Sequence, residues 1–143
     1  MICRAFLAAL PALMIVGAAQ AQDDGAITTE TLLETGRTVI DQEIAAYPDG
    51  TPGVTSLILT IAPGGETGWH THPVPLFVHV LEGEVTVDYG EKGVRTYPAG
   101  ATFLEAMDWP HNGMNKADVP VRIFTVYVGV EVTAGSQPVD KPE

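Results

Sequence analysis

Gly64-Gly65-Glu66-Thr67-Gly68-Trp69-His70-Thr71-His72-Pro73 is the stretch on which the reading of the fold turns. A glycine-rich turn leads into two histidines separated by one residue. On an extended segment, residues two apart point to the same side, so both imidazoles face one way. Two imidazoles on one side of a strand end can share one metal ion. His111 stands in Trp109-Pro110-His111-Asn112-Gly113, just ahead of another β-prone run. Three neutral imidazoles leave open coordination positions, and they suit a divalent Fe, Mn, Ni, Cu or Zn.

Apolar, β-branched runs surround these histidines at residues 54–61, 77–81, 85–89, 94–97, 102–104 and 121–130. Breaks rich in Gly, Pro, Asn and Asp separate them. Residues 31–44, with Gly36 inside a Leu/Val/Ile/Thr mixture, read as two further short strands. No helical periodicity follows residue 46. Eight to ten short strands at this spacing predict an all-β sandwich or barrel. Phe77, Val80, Phe103, Leu104 and Phe124 are the expected core. Trp69 and Trp109, each close to a histidine, are read either as pocket-mouth rings or as ordinary packing.

The histidine segments resemble the two motifs of the cupin family. Gly64, His70, His72 and Gly83 match G-x5-H-x-H-x3,4-E-x6-G, and Gly100, His111 and Asn115 match G-x5-P-x-G-x2-H-x3-N. Ala106 and Asp108 stand where the second motif has Pro and Gly. The resemblance implies a small β-barrel, a double-stranded β-helix of jelly-roll type, with a metal in its mouth and a small organic substrate. It also implies a homodimer. The family's metal-binding glutamate would fall at position 76, where this chain has Leu76. The implied site is then three histidines, His70, His72 and His111, as in some cupin-like thiol dioxygenases. Two residues could take over from the missing carboxylate. If residue 76 faces inward, alternation sends His79 outward, to the surface. Glu105, placed in the same strand after the apolar pair Phe103-Leu104, is read either as a ligand or general acid/base, or as a structural carboxylate. Asn115 is expected to fix a turn or a supporting hydrogen bond.

Composition narrows the field. The chain has 143 residues, with 7 Lys+Arg against 18 Asp+Glu, for a net charge of −11. That balance disfavours nucleic acid and anionic membrane surfaces as partners. The first residues combine Arg4, an apolar run of about fifteen residues and Ala19-Gln20-Ala21, which is the layout of a secretory signal peptide. A spanning helix needs roughly 20 apolar residues. Cleavage after Ala21 would leave 122 residues, 143 less the 21 removed, at a charge of −12 because Arg4 is lost. Cys3, the only cysteine, would go too. The expected organisation is a signal peptide at 1–21, an arm with strands at 22–50, the barrel at 51–135 and a tail at 136–143. The product would be periplasmic or secreted, with no membrane contact after cleavage.

Three functions compete on this reading. The first is a metal-dependent oxidoreductase, dioxygenase-like, with Glu105 moving a proton. The second is a non-catalytic cupin that captures a metal or a small metabolite. The third is a metal-free interaction domain. No G-x-S-x-G, Walker or dinucleotide-binding glycine pattern occurs, so serine hydrolysis and nucleotide binding have no support.

Overall fold

The structure is a computed structural model, and it describes residues 27–44, 46–131 and 135–143. The signal-peptide segment and its cleavage site lie outside the described residues. The chain divides into residues 1–30 and 31–143, and the second unit holds the fold. Its strands are β1 (Pro52–Ile61), β2 (His70–Thr71), β3 (Leu76–Glu82), β4 (Glu84–Asp88), β5 (Val94–Pro98), β6 (Thr102–Leu104), β7 (Asn112–Met114), β8 (Val121–Val130) and β9 (Gln137–Pro138). One 3-10 turn, Gly90–Lys92, is the only helical element among the described residues.

Two antiparallel sheets enclose the core. One has the order β1-β8-β3-β6, the other β5-β4-β7, and β2 pairs with β9. A bridge between His70 and His111 ties β2 to the chain entering β7. The β3 residues Leu76, Val78 and Val80 are buried, while Phe77 and His79 between them are only half-buried. This is the period-two signature of a strand with one face on the core. The buried cluster joins Val78, Val80, Phe103, Val121 and Ile123 of the first sheet to Val85 and Val87 of the second. Burying each such side chain contributes about 1.5–3 kcal/mol.

Two expectations about packing are corrected. Phe77, Leu104 and Phe124 were expected in the core, yet all three are only half-buried. Phe77 pairs with Leu104, and Phe124 with His79, on the outer side of the four-stranded sheet. Apolar character alone named them, but alternation puts them opposite Leu76 and Val78. Residues 31–44 do not form two strands. They hold a turn closed by the Arg37–Glu43 bridge, with Asp41 at positive φ. The Gln42 side chain clips this turn to the chain after β6, donating to the Met107 carbonyl at 2.7 Å and accepting from its N–H at 3.0 Å. Within the expected tail at 136–143, Gln137 and Pro138 form β9.

Gly83 turns the chain from β3 into β4 with φ +75. A Cβ there would lie 2.9 Å from the Pro120 carbonyl oxygen. Strain and overlap both oppose a side chain, so Gly83→Ala is expected to lower stability by at least about 1–2 kcal/mol. Urea denaturation with an unchanged slope but a lower midpoint would show it. A midpoint equal to the parent's would refute the constraint.

Candidate metal site

β2 presents His70, His72 follows one residue past its end, and His111 immediately precedes β7. The backbones of His70 and His111 exchange two hydrogen bonds, each 3.0 Å. The loop before His111 is held by Asp108, whose N–H donates to the His72 carbonyl at 2.9 Å. Asp108 adopts φ 49, in the left-handed region. Glycine adopts that region most freely, and Asp is among the few other residues that tolerate it.

The three rings form a compact triangle. Their centroids are 4.4 Å apart for His70 and His111, 4.8 Å for His70 and His72, and 4.9 Å for His72 and His111. Each Nδ1 bonds a backbone carbonyl: His70 to Gly68 at 2.8 Å, His111 to Trp109 at 2.8 Å and His72 to Gly135 at 2.7 Å. A carbonyl oxygen only accepts, so each Nδ1 carries the proton and each Nε2 is a bare lone pair. One ligand atom from each ring lies within 4.8 Å of the others.

The His111 Nε2 is buried and has no hydrogen-bond partner. Leaving such an atom unsatisfied costs about 1–3 kcal/mol. A cation shared by three lone pairs would remove that cost, so the donor set fits a divalent transition metal. Burial, the largest cause, lowers the pKa of all three imidazoles, and that of His72 falls to about 3. They are therefore neutral at neutral pH, as metal ligation requires.

Glu105 lies one residue beyond β6 rather than within a strand, and its N–H donates to the Leu76 carbonyl at 2.9 Å. It is 5 % exposed. Its carboxylate accepts from the Ala106 N–H at 2.7 Å. Burial pushes its pKa up to about 7, against the opposing pull of that N–H and of the nearby Tyr89 hydroxyl. Tyr89 is fully buried, and its hydroxyl lies 3.3 Å from that of Tyr97.

A cavity of about 60 Å³ has Thr67, His70, His111, Glu105 and Tyr127 on its wall, with Leu76 and Phe103 among the apolar residues. The convergent ligand group consists of the three histidines and includes neither Glu105 nor His79. His79 faces away from the core and bonds Thr102 Oγ1 at 2.7 Å. Leu76 is buried at the position where the motif has a carboxylate. Neither tryptophan lines the cavity; the Trp109 indole donates to the Tyr89 carbonyl at 2.9 Å. Asn115 does fix a turn, donating to the Ile61 and Val119 carbonyls and accepting from the Ala117 N–H.

Sequence reasoning missed Tyr127, Tyr89, Thr67 and Gly135. Tyr127 was within reach, because alternation along β8 from Val121 through Ile123 and Thr125 points it inward. The Gly135 carbonyl left no side-chain signal.

Residues 57–127 match the family model described as Cupin domain. No curated protein matches the chain. A cupin domain from Bordetella pertussis is 25 % identical over 57 % of this chain and 86 % of its own, with a TM-score of 0.48. The polyketide cyclase RemF from Streptomyces resistomycificus is 18 % identical over 66 % of this chain and 65 % of its own, with a TM-score of 0.53. DMSP lyase DddQ from Ruegeria pomeroyi is 19 % identical over 59 % of this chain and 42 % of its own, also with a TM-score of 0.53. At those identities the likeness to the cyclase and the lyase is one of fold. With its two antiparallel sheets, its histidine triangle and the match over residues 57–127, the chain is a small cupin-domain protein.

Proposed function

We propose that the chain is an exported metalloprotein whose three-histidine site acts on a small organic molecule, as a dioxygenase-like oxidoreductase. The observation that carries the reading is the convergence of three unprotonated Nε2 atoms, one of them buried without a partner. His70, His72 and His111 would hold the ion. When bound, a divalent Fe, Mn, Ni, Cu or Zn supplies Lewis-acid chemistry, and the redox-active members add electron transfer.

The rest of the site belongs to the chain. The cavity is small, about 60 Å³. Its apolar wall excludes water and would take the ligand's carbon skeleton. Glu105 stands on the same wall, and a carboxyl poised near pH 7 can hold or release a proton at neutral pH. Tyr127 offers a hydroxyl whose pKa is raised, first by burial and then by the Glu105 charge. It is a hydrogen-bond donor there, not an anion.

Two measurements separate the readings. Purified chain is expected to hold about one transition metal, lost in His70→Ala and His111→Ala. Absence of metal after reconstitution would overturn the metal reading. Oxygen uptake with small catechols and thiols then tests turnover. Metal without turnover leaves the non-catalytic binder.

Glu105 gives a pH-dependent prediction in the metal-free chain. Its folded pKa, about 7, exceeds its ordinary 4.5. The folded state therefore binds the extra proton between these values, and this contribution to stability is lost as pH rises through about 7. The histidines act oppositely: their lowered pKa values cost stability as pH falls below 6.5. Glu105→Gln should gain on the parent as pH rises from about 4.5 to about 7, by at most about 3 kcal/mol. Parallel urea midpoints across that window would exclude a raised pKa.

Export and pairing complete the proposal. The signal-peptide pattern supports cleavage after Ala21. The outer face carrying Ile58, Phe124 and Phe77 supports a homodimer, since Ile58 is 51 % exposed. Secreted material is expected to begin at Gln22 by intact mass and to sediment as a dimer. An uncleaved N-terminus would overturn export, and a monomer at micromolar concentration would overturn pairing.

A further inference from the structure

We propose that residues 135–139, at the C-terminal end of the chain, are the positioning element for the third ligand, His72. The three imidazoles are not oriented in the same way. The carbonyls that hold His70 and His111 lie two residues upstream, at Gly68 and Trp109. Those rings bring their own orientation with the local backbone. The carbonyl that holds His72 belongs to Gly135, 63 residues later in the chain.

The C-terminal segment is built to deliver that carbonyl. Gln137 and Pro138 pair with Thr71 and His70, and the Val139 N–H donates to the Trp69 carbonyl at 3.0 Å. The segment therefore runs antiparallel beside the His-x-His strand. Gly135 lies against the Tyr127 ring, where a Cβ would come within 2.7 Å of a ring carbon. Only a residue without a side chain brings the carbonyl this close. Gly135 is thus a positioning residue that acts through His72. With its carbonyl withdrawn, nothing holds the proton on Nδ1. The tautomer that protonates Nε2, and so removes the ligand lone pair, becomes accessible. Losing such a supporting partner weakens metal affinity on the order of 10- to 100-fold.

The inference rests on the metal reading for affinity, but the tautomer can be read without metal. The metal-free full chain, Gly135→Ala, a chain lacking 137–143 and a control lacking only 140–143 would be labelled with 15N. Long-range proton–nitrogen correlations of the imidazoles, at mildly alkaline pH, report which nitrogen carries the proton. In the parent and the control, His70, His72 and His111 should all be Nδ1-protonated. In Gly135→Ala and in the chain lacking 137–143, His72 alone should shift toward Nε2 protonation. Zn2+ titration against a chelator should then weaken on the order of 10- to 100-fold, with stoichiometry still one. Gly135→Ala keeps the test open if the shortened chain does not fold. An unchanged His72 tautomer overturns the proposal, and so does a change in all three rings together, which would mark a general loss of structure. If the parent shows the fixed tautomers but takes up no Zn2+, positioning stands and the metal reading fails. If the variants bind Zn2+ like the parent with His72 unmoved, the reverse holds.

Discussion

Three hydrogen bonds from imidazole Nδ1 to backbone carbonyl decide where this molecule can place a cation. Each fixes a tautomer and a ring plane, and so commits the opposite nitrogen to the interior. Everything around them serves to hold the donors and carbonyls in register. The His70–His111 backbone pair sets the two ring centroids 4.4 Å apart, with their planes tilted by 54°. β7 continues from His111 into the second sheet by pairing with β4, which anchors that ring to the core through Val85 and Val87. Asp108, in a left-handed conformation, turns the preceding loop so that its N–H reaches the His72 carbonyl. The arm reaches the same region from outside, since Gln42 grips Met107 with both ends of its amide.

The arrangement has a cost that the fold tolerates. His72 and His111 are each 2 % exposed, and burial disfavours their charged forms. Their Nδ1 atoms recover a hydrogen bond, but the His111 Nε2 does not. An apolar barrel would fold with fewer unsatisfied atoms. Preorganised ligands must be desolvated during folding, so the energy is spent before any ion arrives. The core repays it with Val80, Val121 and Tyr89, all fully buried.

Much of this was legible in the sequence, for reasons of periodicity. His-x-His on an extended segment predicts the shared side, and the structure brings both rings together with His111. Inward Leu76 predicts outward His79, and alternation delivers that. The turn role of Asn115 also follows from its motif position. The failures have equally local causes. Phe77 and Phe124 were assigned by hydrophobicity, which does not distinguish the two faces of a half-covered sheet. The strands expected at residues 31–44 had suitable composition, but the segment turns at Asp41, leaving the Arg37–Glu43 bridge and one backbone hydrogen bond from Val39 to Leu104 at the edge of the sheet. Glu105 was placed on a strand that ends at Leu104. Gly135 was invisible because its contribution is a carbonyl, common to every residue, delivered by tertiary pairing.

Leu76 and Glu105 are best understood together. The vacated ligand position lies on β3, and the buried carboxylate lies directly across the β3–β6 pairing, joined to it by the Glu105 N–H and Leu76 carbonyl. With a carboxylate at 76, an ion would be partly neutralised by its own ligands. With leucine there, three neutral imidazoles leave a dication's full charge in a desolvated cavity. A buried carboxyl on the same wall then feels two opposing fields. Burial raises its pKa to about 7, whereas a positive charge nearby would favour its ionised form. Under the proposed metal reading, Glu105 supplies on the neighbouring strand the carboxyl group that position 76 lacks.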